Sequence, residues 1–344
     1  MKLIRKNLVL VLVLMLTVGA VAQAGLFDFF KKKSDTKVTK KATVKKLKAG
    51  IVFSIGGLGD KSFNDSAFRG MKMGKDKLGV EFNYVEPASP AEDEQYLRQY
   101  AEAGYDLVIA TGFLMHDSCE KVAKEFPNIK FAIIDSYVDL PNVSSLLFKE
   151  DEGSFLVGAV AGMMTKTNTV GFVGGMDIPL IHKFQNGFEQ GAKYVNPKVK
   201  ALSVYTSGPN PFNDPVRGKE EALSLMQQDA DVVYHAAGGT GMGVIEAAKE
   251  KGVYAIGVDS DQDGVAPGVV LTSMMKNVDV AVYNTIKAVK DGTFKAGENR
   301  FGLKENGVGV TNFEYTKNKL PAGTIEKIKE IKAKIISGEI KLAK

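Results

Sequence analysis

Cysteine occurs once, at Cys119, so no disulfide can form within one chain and no thiol lies near the N-terminus to accept a lipid. On a helix, that residue reads as packing rather than chemistry. Histidine is almost as scarce: His116, His182 and His235 are scattered, without metal-ligand spacing and without a nucleophile beside them. Gly56-Gly57-Leu58-Gly59 lacks the third glycine of a dinucleotide fingerprint, and no phosphate-loop lysine follows it. The sequence therefore gives no grounds for a metal, a cofactor or a hydrolytic triad. No helix-turn-helix precedes the first α/β segment, which argues against a ligand-controlled repressor.

Positive charge is confined to one end. Residues 1–48 hold 12 Lys and Arg against two Asp, leaving 33 basic and 38 acidic residues beyond them, although the whole chain carries +5. The body is acidic, and no nucleic-acid partner is implied. Lys2, Arg5 and Lys6, an apolar run from Leu8 to Val18 and the small-x-small site Ala22-Gln23-Ala24 read as a secretory signal over residues 1–24. That run is shorter than the ~20 residues a spanning helix needs. Residues 25–48 read as a solvated basic linker. A mature chain beginning at Gly25, soluble in the periplasm and monomeric, is expected.

At 344 residues the chain is long enough for two domains. From Ile51 onward strands and helices alternate, the pattern of parallel sheets covered on both faces. Ile51–Gly57 resembles Val170–Met176, Asp106–Gly112 resembles Asp231–Ala237, and Phe131–Asp135 resembles Ala255–Asp259, at nearly constant offsets of 119, 125 and 124. Two copies of one Rossmann-like lobe are predicted, with parallel sheets and a three-crossing hinge. The N-terminal lobe is placed at 49–150 plus about 276–305, and the C-terminal lobe at 151–275 plus about 306–344.

Ligands of open parallel sheets bind beyond the strands' carboxyl ends. Ile55–Gly70 joins a strand to a helix through three glycines, aiming loop N–H groups and a helix dipole at such a corner. Asp60, Asn64 and Asp65 suit a neutral polar ligand, whereas a phosphate would meet carboxylates. Phe63 and Phe68 offer ring faces, and Phe68 with Phe184 forms a candidate stacking pair. Asp259, matched by Asp135 in the other lobe, suits vicinal hydroxyls. Gly238 and Gly239 end a strand where backbone N–H groups can meet a ligand oxygen.

Asp60–Phe68, Gly171–Met176, Ala236–Gly241 and Gly257–Gln262 resemble, in order, the signatures of the basic membrane protein family of ABC-transporter substrate-binding proteins, which includes purine nucleoside receptors. The resemblance spans about residues 48–315. It implies a periplasmic-binding-protein type I fold delivering a purine nucleoside to a membrane permease. It further implies base contacts from Asp60, Asn64, Asp65 and Phe68, sugar contacts from Gly238, Gly239, Asp259 and Lys276, and a looser match of Asp135 and Phe184 to the cleft lining. Many members are lipoproteins; this sequence departs from them in lacking the cysteine. Two alternatives stay open, an enzyme on the same scaffold and a receptor for another small polar ligand such as a sugar.

Overall fold

The computed structural model describes residues 46–343, so the leader and most of the basic linker lie outside the described residues. Five strands, β1 (Lys48–Val52), β2 (Glu81–Val85), β3 (Leu107–Thr111), β4 (Lys130–Ile134) and β5 (Val143–Phe148), alternate with helices α1 (Phe63–Leu78), α2 (Asp93–Glu102) and α3 (His116–Glu125). After α4 (Glu150–Met164), β6 (Thr169–Gly174), β7 (Lys200–Tyr205), β8 (Val232–Ala236), β9 (Tyr254–Asp259) and β10 (Val270–Lys276) repeat the pattern with α5 (Pro179–Val195), α6 (Pro215–Met226) and α7 (Gly241–Lys251). The chain ends with α8 (Val278–Lys290), β11 (Gly297–Phe301), β12 (Val308–Val310) and α9 (Thr324–Ser337).

These strands form two six-stranded sheets, ordered β11-β5-β4-β3-β1-β2 and β12-β10-β9-β8-β6-β7. Every pairing is parallel except β12 against β10. Helices cover both faces, so central strands bury both rows of side chains, and β3 and β8 are buried at every position. Cys119 lies in the core between α3 and the first sheet, as its apolar neighbours imply. Burial pushes its thiol up to about 12, which keeps it unreactive. Among the described residues no helix is long and apolar enough to cross a membrane.

Three connections join the lobes. The chain leaves the first sheet at Phe148 and enters α4, which packs against α5, β10 and β12. It returns after Lys276 through α8, which packs on α1, and passes from β11 back to β12 over residues 302–307. The first crossing is anchored by backbone contact between α4 and α5. A Cβ at Gly158 would stand 2.1 Å from the Phe188 carbonyl oxygen, and one at Gly191 2.0 Å from that of Phe155. Glycine is required there by the close approach of the helices.

β1 stops at Val52, ahead of the glycine loop. The backbone N–H of Ser54 is taken by the Asn64 side chain, and Gly57 N–H bonds back to Ser54 in a turn. Gly56, Gly57 and Gly59 all adopt left-handed φ angles (104°, 61° and 93°), which bends the chain out of the sheet towards α1.

Candidate functional site

A cleft opens at the carboxyl ends of both sheets. Ser54–Gly56 after β1, Gly112–Leu114 after β3 and Asp135 after β4 face Ala236 and Gly238 at the end of β8 and Val258–Asp259 at the end of β9. About 720 Å³ there is free of protein atoms, including space open to solvent.

Asp60 is buried beneath the first turn of α1, where its carboxylate accepts the backbone N–H groups of Ser62 (2.8 Å), Asn64 (2.8 Å) and Asp65 (3.1 Å). Burial raises its pKa, and those three donors oppose the rise. Three N–H groups at the start of α1 are thereby taken by the protein. Where the helix dipole and bare N–H groups are expected to meet a ligand, this part of the corner presents a carboxylate that takes donors. Asn64 accepts at Oδ1 from the Ser54 N–H and hydroxyl, each at 3.1 Å, and its Nδ2 has no protein partner among the described residues.

Asp135 and Asp259 occupy equivalent strand ends of the two lobes, both with left-handed backbones (φ 65° and 63°). Aspartate tolerates that conformation better than most residues, and the turn aims each carboxylate into the cleft. Burial pushes Asp259 up to about 6; Lys276 and the Ser62 hydroxyl hold it down, while Asp60 and Asp135 raise it. Lys276, at the end of β10, is 1% exposed and stands 2.7 Å from Asp135 Oδ2 and 3.2 Å from Glu150 Oε1. Burial would lower its pKa, but the carboxylates of Asp135, Glu150 and Asp259 outweigh it, so the ammonium stays charged. Lys276 thus stands among three carboxylates, with the half-exposed Lys183 ammonium 3.6 Å from Glu150 Oε2, and among the described residues Asp135 Oδ1 is buried without a partner.

Four phenylalanines complete the lining. Phe63 and Phe113 come from the first lobe, Phe184 and Phe212 from the second. Phe113 and Phe212 meet edge to face across the cleft, with centroids 6.3 Å apart. Phe212 rests on Gly175, where a Cβ would come within 2.1 Å of its ring. The Lys276 ammonium lies 5.3 Å from the Phe63 centroid and 5.4 Å from that of Phe184.

The structure brings Asp60, Asn64, Asp135, Phe184, Gly238, Asp259 and Lys276 together in this lining, and leaves three residues out. Phe68 points into an aromatic cluster with Phe53, Phe82 and Tyr84, about 140° around α1 from Phe63 and so on another face. The resemblance implies a base contact from Phe68, but it is Phe63, at the end of the loop, that lines the cleft. Asp65 turns back to accept the N–H groups of Gly59 and Lys61, holding the glycine loop in place. Gly239 lies just outside, where Asn213 Oδ1 is 3.1 Å from the position of a Cβ. Sequence reasoning missed Phe113, although it follows a glycine at a strand end and the carboxyl-edge rule reaches it. Phe212, in a loop between β7 and α6, and Glu150, in the hinge, carry no such signal.

An aromatic and polar cleft between two parallel-sheet lobes joined by three crossings defines a two-lobed solute-binding protein. The chain belongs to the Bmp family, ABC transporter substrate-binding proteins of the PnrA-like type, whose model matches residues 47–344. Its relatives include an uncharacterized lipoprotein of Pyrococcus abyssi, 41% identical over 80% of this chain and 72% of that one. Basic membrane protein A of Borreliella burgdorferi is 36% identical over 82% of this chain and 83% of that one. The crystal structure of an ABC transporter solute-binding protein from Aeropyrum pernix superposes with a TM-score of 0.78 at 34% identity, covering 86% of this chain and 92% of that one.

Proposed function

We propose that this substrate-binding protein takes a purine nucleoside between its lobes and delivers it, chemically unchanged, to an ABC-transporter permease. The observation that carries the reading is the pairing of four phenylalanine rings with buried acceptors at Asp60 and Asp259. A planar base gains about 1–3 kcal/mol from stacking on an aromatic ring. Ring and exocyclic N–H groups suit the Asp60 carboxylate, and vicinal hydroxyls suit Asp259. A hexose has donors for the carboxylates but no flat face large enough to use rings from both lobes.

Titration calorimetry against guanosine, adenosine, cytidine, ribose, glucose and guanosine 5′-monophosphate tests this. Purine nucleosides should bind tightest. The monophosphate should bind at least about tenfold more weakly than guanosine, because Asp60, Asp135 and Asp259 line the cleft, the Lys276 ammonium is already paired with carboxylates, and an added dianion costs more than about 1.4 kcal/mol there. Glucose or ribose binding with no response to nucleosides would overturn the reading in favour of a sugar receptor. Free base released on incubation would make the protein an enzyme instead.

The two phenylalanines of α1 give a second check. Phe63→Ala should weaken guanosine by about five-fold or more and leave stability nearly intact. Phe68→Ala should do the opposite, lowering the unfolding midpoint through loss of its aromatic cluster while the dissociation constant stays within about twofold. Reversed results would return Phe68 to the binding site.

Export by the leader and release as a lipid-free, monomeric periplasmic protein complete the reading, supported by Cys119 being buried in α3. Mass spectrometry of exported protein should give a start at Gly25 with no acyl mass. A retained leader would instead mean anchoring.

A further inference from the structure

The contact between the two loops facing each other across the cleft is centred on Ser62. This residue is fully buried, and nothing in the ligand chemistry above requires it. Its hydroxyl donates to Asp259 Oδ2 at 2.5 Å, and its carbonyl accepts the Ser260 hydroxyl at 2.9 Å. Beside it, the Gln262 side chain donates to the Lys61 carbonyl at 3.1 Å, and Arg69 of α1 reaches the Ser260 hydroxyl at 3.0 Å. Lys61 and Asp259 both hold left-handed backbones, so each loop is bent towards the other.

The geometry points to Ser62 as a positioning residue for ligand recognition: from the first lobe it holds the Asp259 carboxylate of the second lobe in its binding orientation. This rests on the reading of Asp259 as a ligand acceptor. A carboxylate on a strand end can turn about its own side-chain bonds. A donor on Oδ2 fixes the rotamer and leaves Oδ1 for the ligand. The hydroxyl also favours the ionised form, the one able to accept two ligand donors, against the burial that opposes it.

The charged and titratable groups facing Asp259 include Lys276, Asp60, Asp135 and the buried Tyr234 phenol, and all four remain in the test. ¹³C NMR of ligand-free protein labelled at the aspartate carboxyl, with the Asp259 signal assigned by Asp259→Asn, follows its titration from pH 4 to 9. Ser62→Ala should move the midpoint upward by about one pH unit or more, since the lost hydrogen bond stabilised only the charged form. Ser62→Thr keeps the hydroxyl and should stay near the parent. Ser62→Cys keeps the size without a comparable donor and should follow the alanine variant, so one poorly folding variant does not decide the matter. Unchanged midpoints in the alanine and cysteine variants would overturn the proposal, and so would equal shifts in all three, which would mark Ser62 as a packing residue. The titration needs no nucleoside, so failure of every nucleoside to bind would strike the ligand reading and leave this result standing.

Discussion

Lys276→Met should destabilise the protein by about 3–5 kcal/mol, the cost of removing one partner from a buried ionic cluster. The ammonium is 1% exposed, with Asp135 at 2.7 Å and Glu150 at 3.2 Å. Methionine fills a similar volume beside Phe148 and Phe184, so the loss is electrostatic rather than a cavity. Urea unfolding at pH 7 measures it. The double variant Lys276→Met, Asp135→Asn should recover a large part of the loss, since it removes one uncompensated charge. A single-variant loss below about 1 kcal/mol would mean that the cluster is hydrated and the ion pairs contribute little.

Asp259→Ala should weaken guanosine by about tenfold or more and 2′-deoxyguanosine by much less. Hydrogen bonds to a charged group contribute about 1.5–3 kcal/mol each, and the deoxy ligand already lacks one of the two donors. Equal losses for both ligands would mean that the sugar lies elsewhere. The parent protein's affinity should also depend on pH. With the Asp259 pKa near 6, the ionised fraction rises about tenfold between pH 5 and 7, and guanosine affinity should rise with it. Stability runs the other way. The folded pKa lies above the ordinary value of 3.8, so the folded state binds the proton more tightly. This group's contribution is therefore present at low pH and is lost as pH climbs from about 4 to about 6. An affinity flat from pH 5 to 7 would show that the neutral acid serves the ligand as well.

The fold was legible because its signals are local and repeated. Apolar runs such as Leu107–Ala110 and Phe131–Ile134 are long enough for a strand and too short for most helices, and glycine bends the chain after β1 and β3. The near-constant offset between lobes doubled the weight of each signal. Cleft residues at strand ends, Asp135, Gly238 and Asp259, could be found by the same rule, because a strand's carboxyl end is fixed once the strand is.

The sequence by itself determined the secondary structure, the duplication, the two carboxylates at equivalent strand ends and the family. Each depends on the order of residues within one segment, or on comparing two segments. Only the tertiary structure decided which side of α1 faces the cleft, sending Phe63 to the site and Phe68 to a cluster with Phe53 and Tyr84. It also decided that Asp60 would consume the N–H groups of the helix it precedes, that Lys276 would be held by carboxylates from two other elements, and that Ser62 would reach Asp259 across 197 residues of chain. The physical reason is that a helix's rotation about its axis and the meeting of two lobes are set by packing between distant segments. Local order fixes which residues can bind, but packing at the cleft selects which of them do.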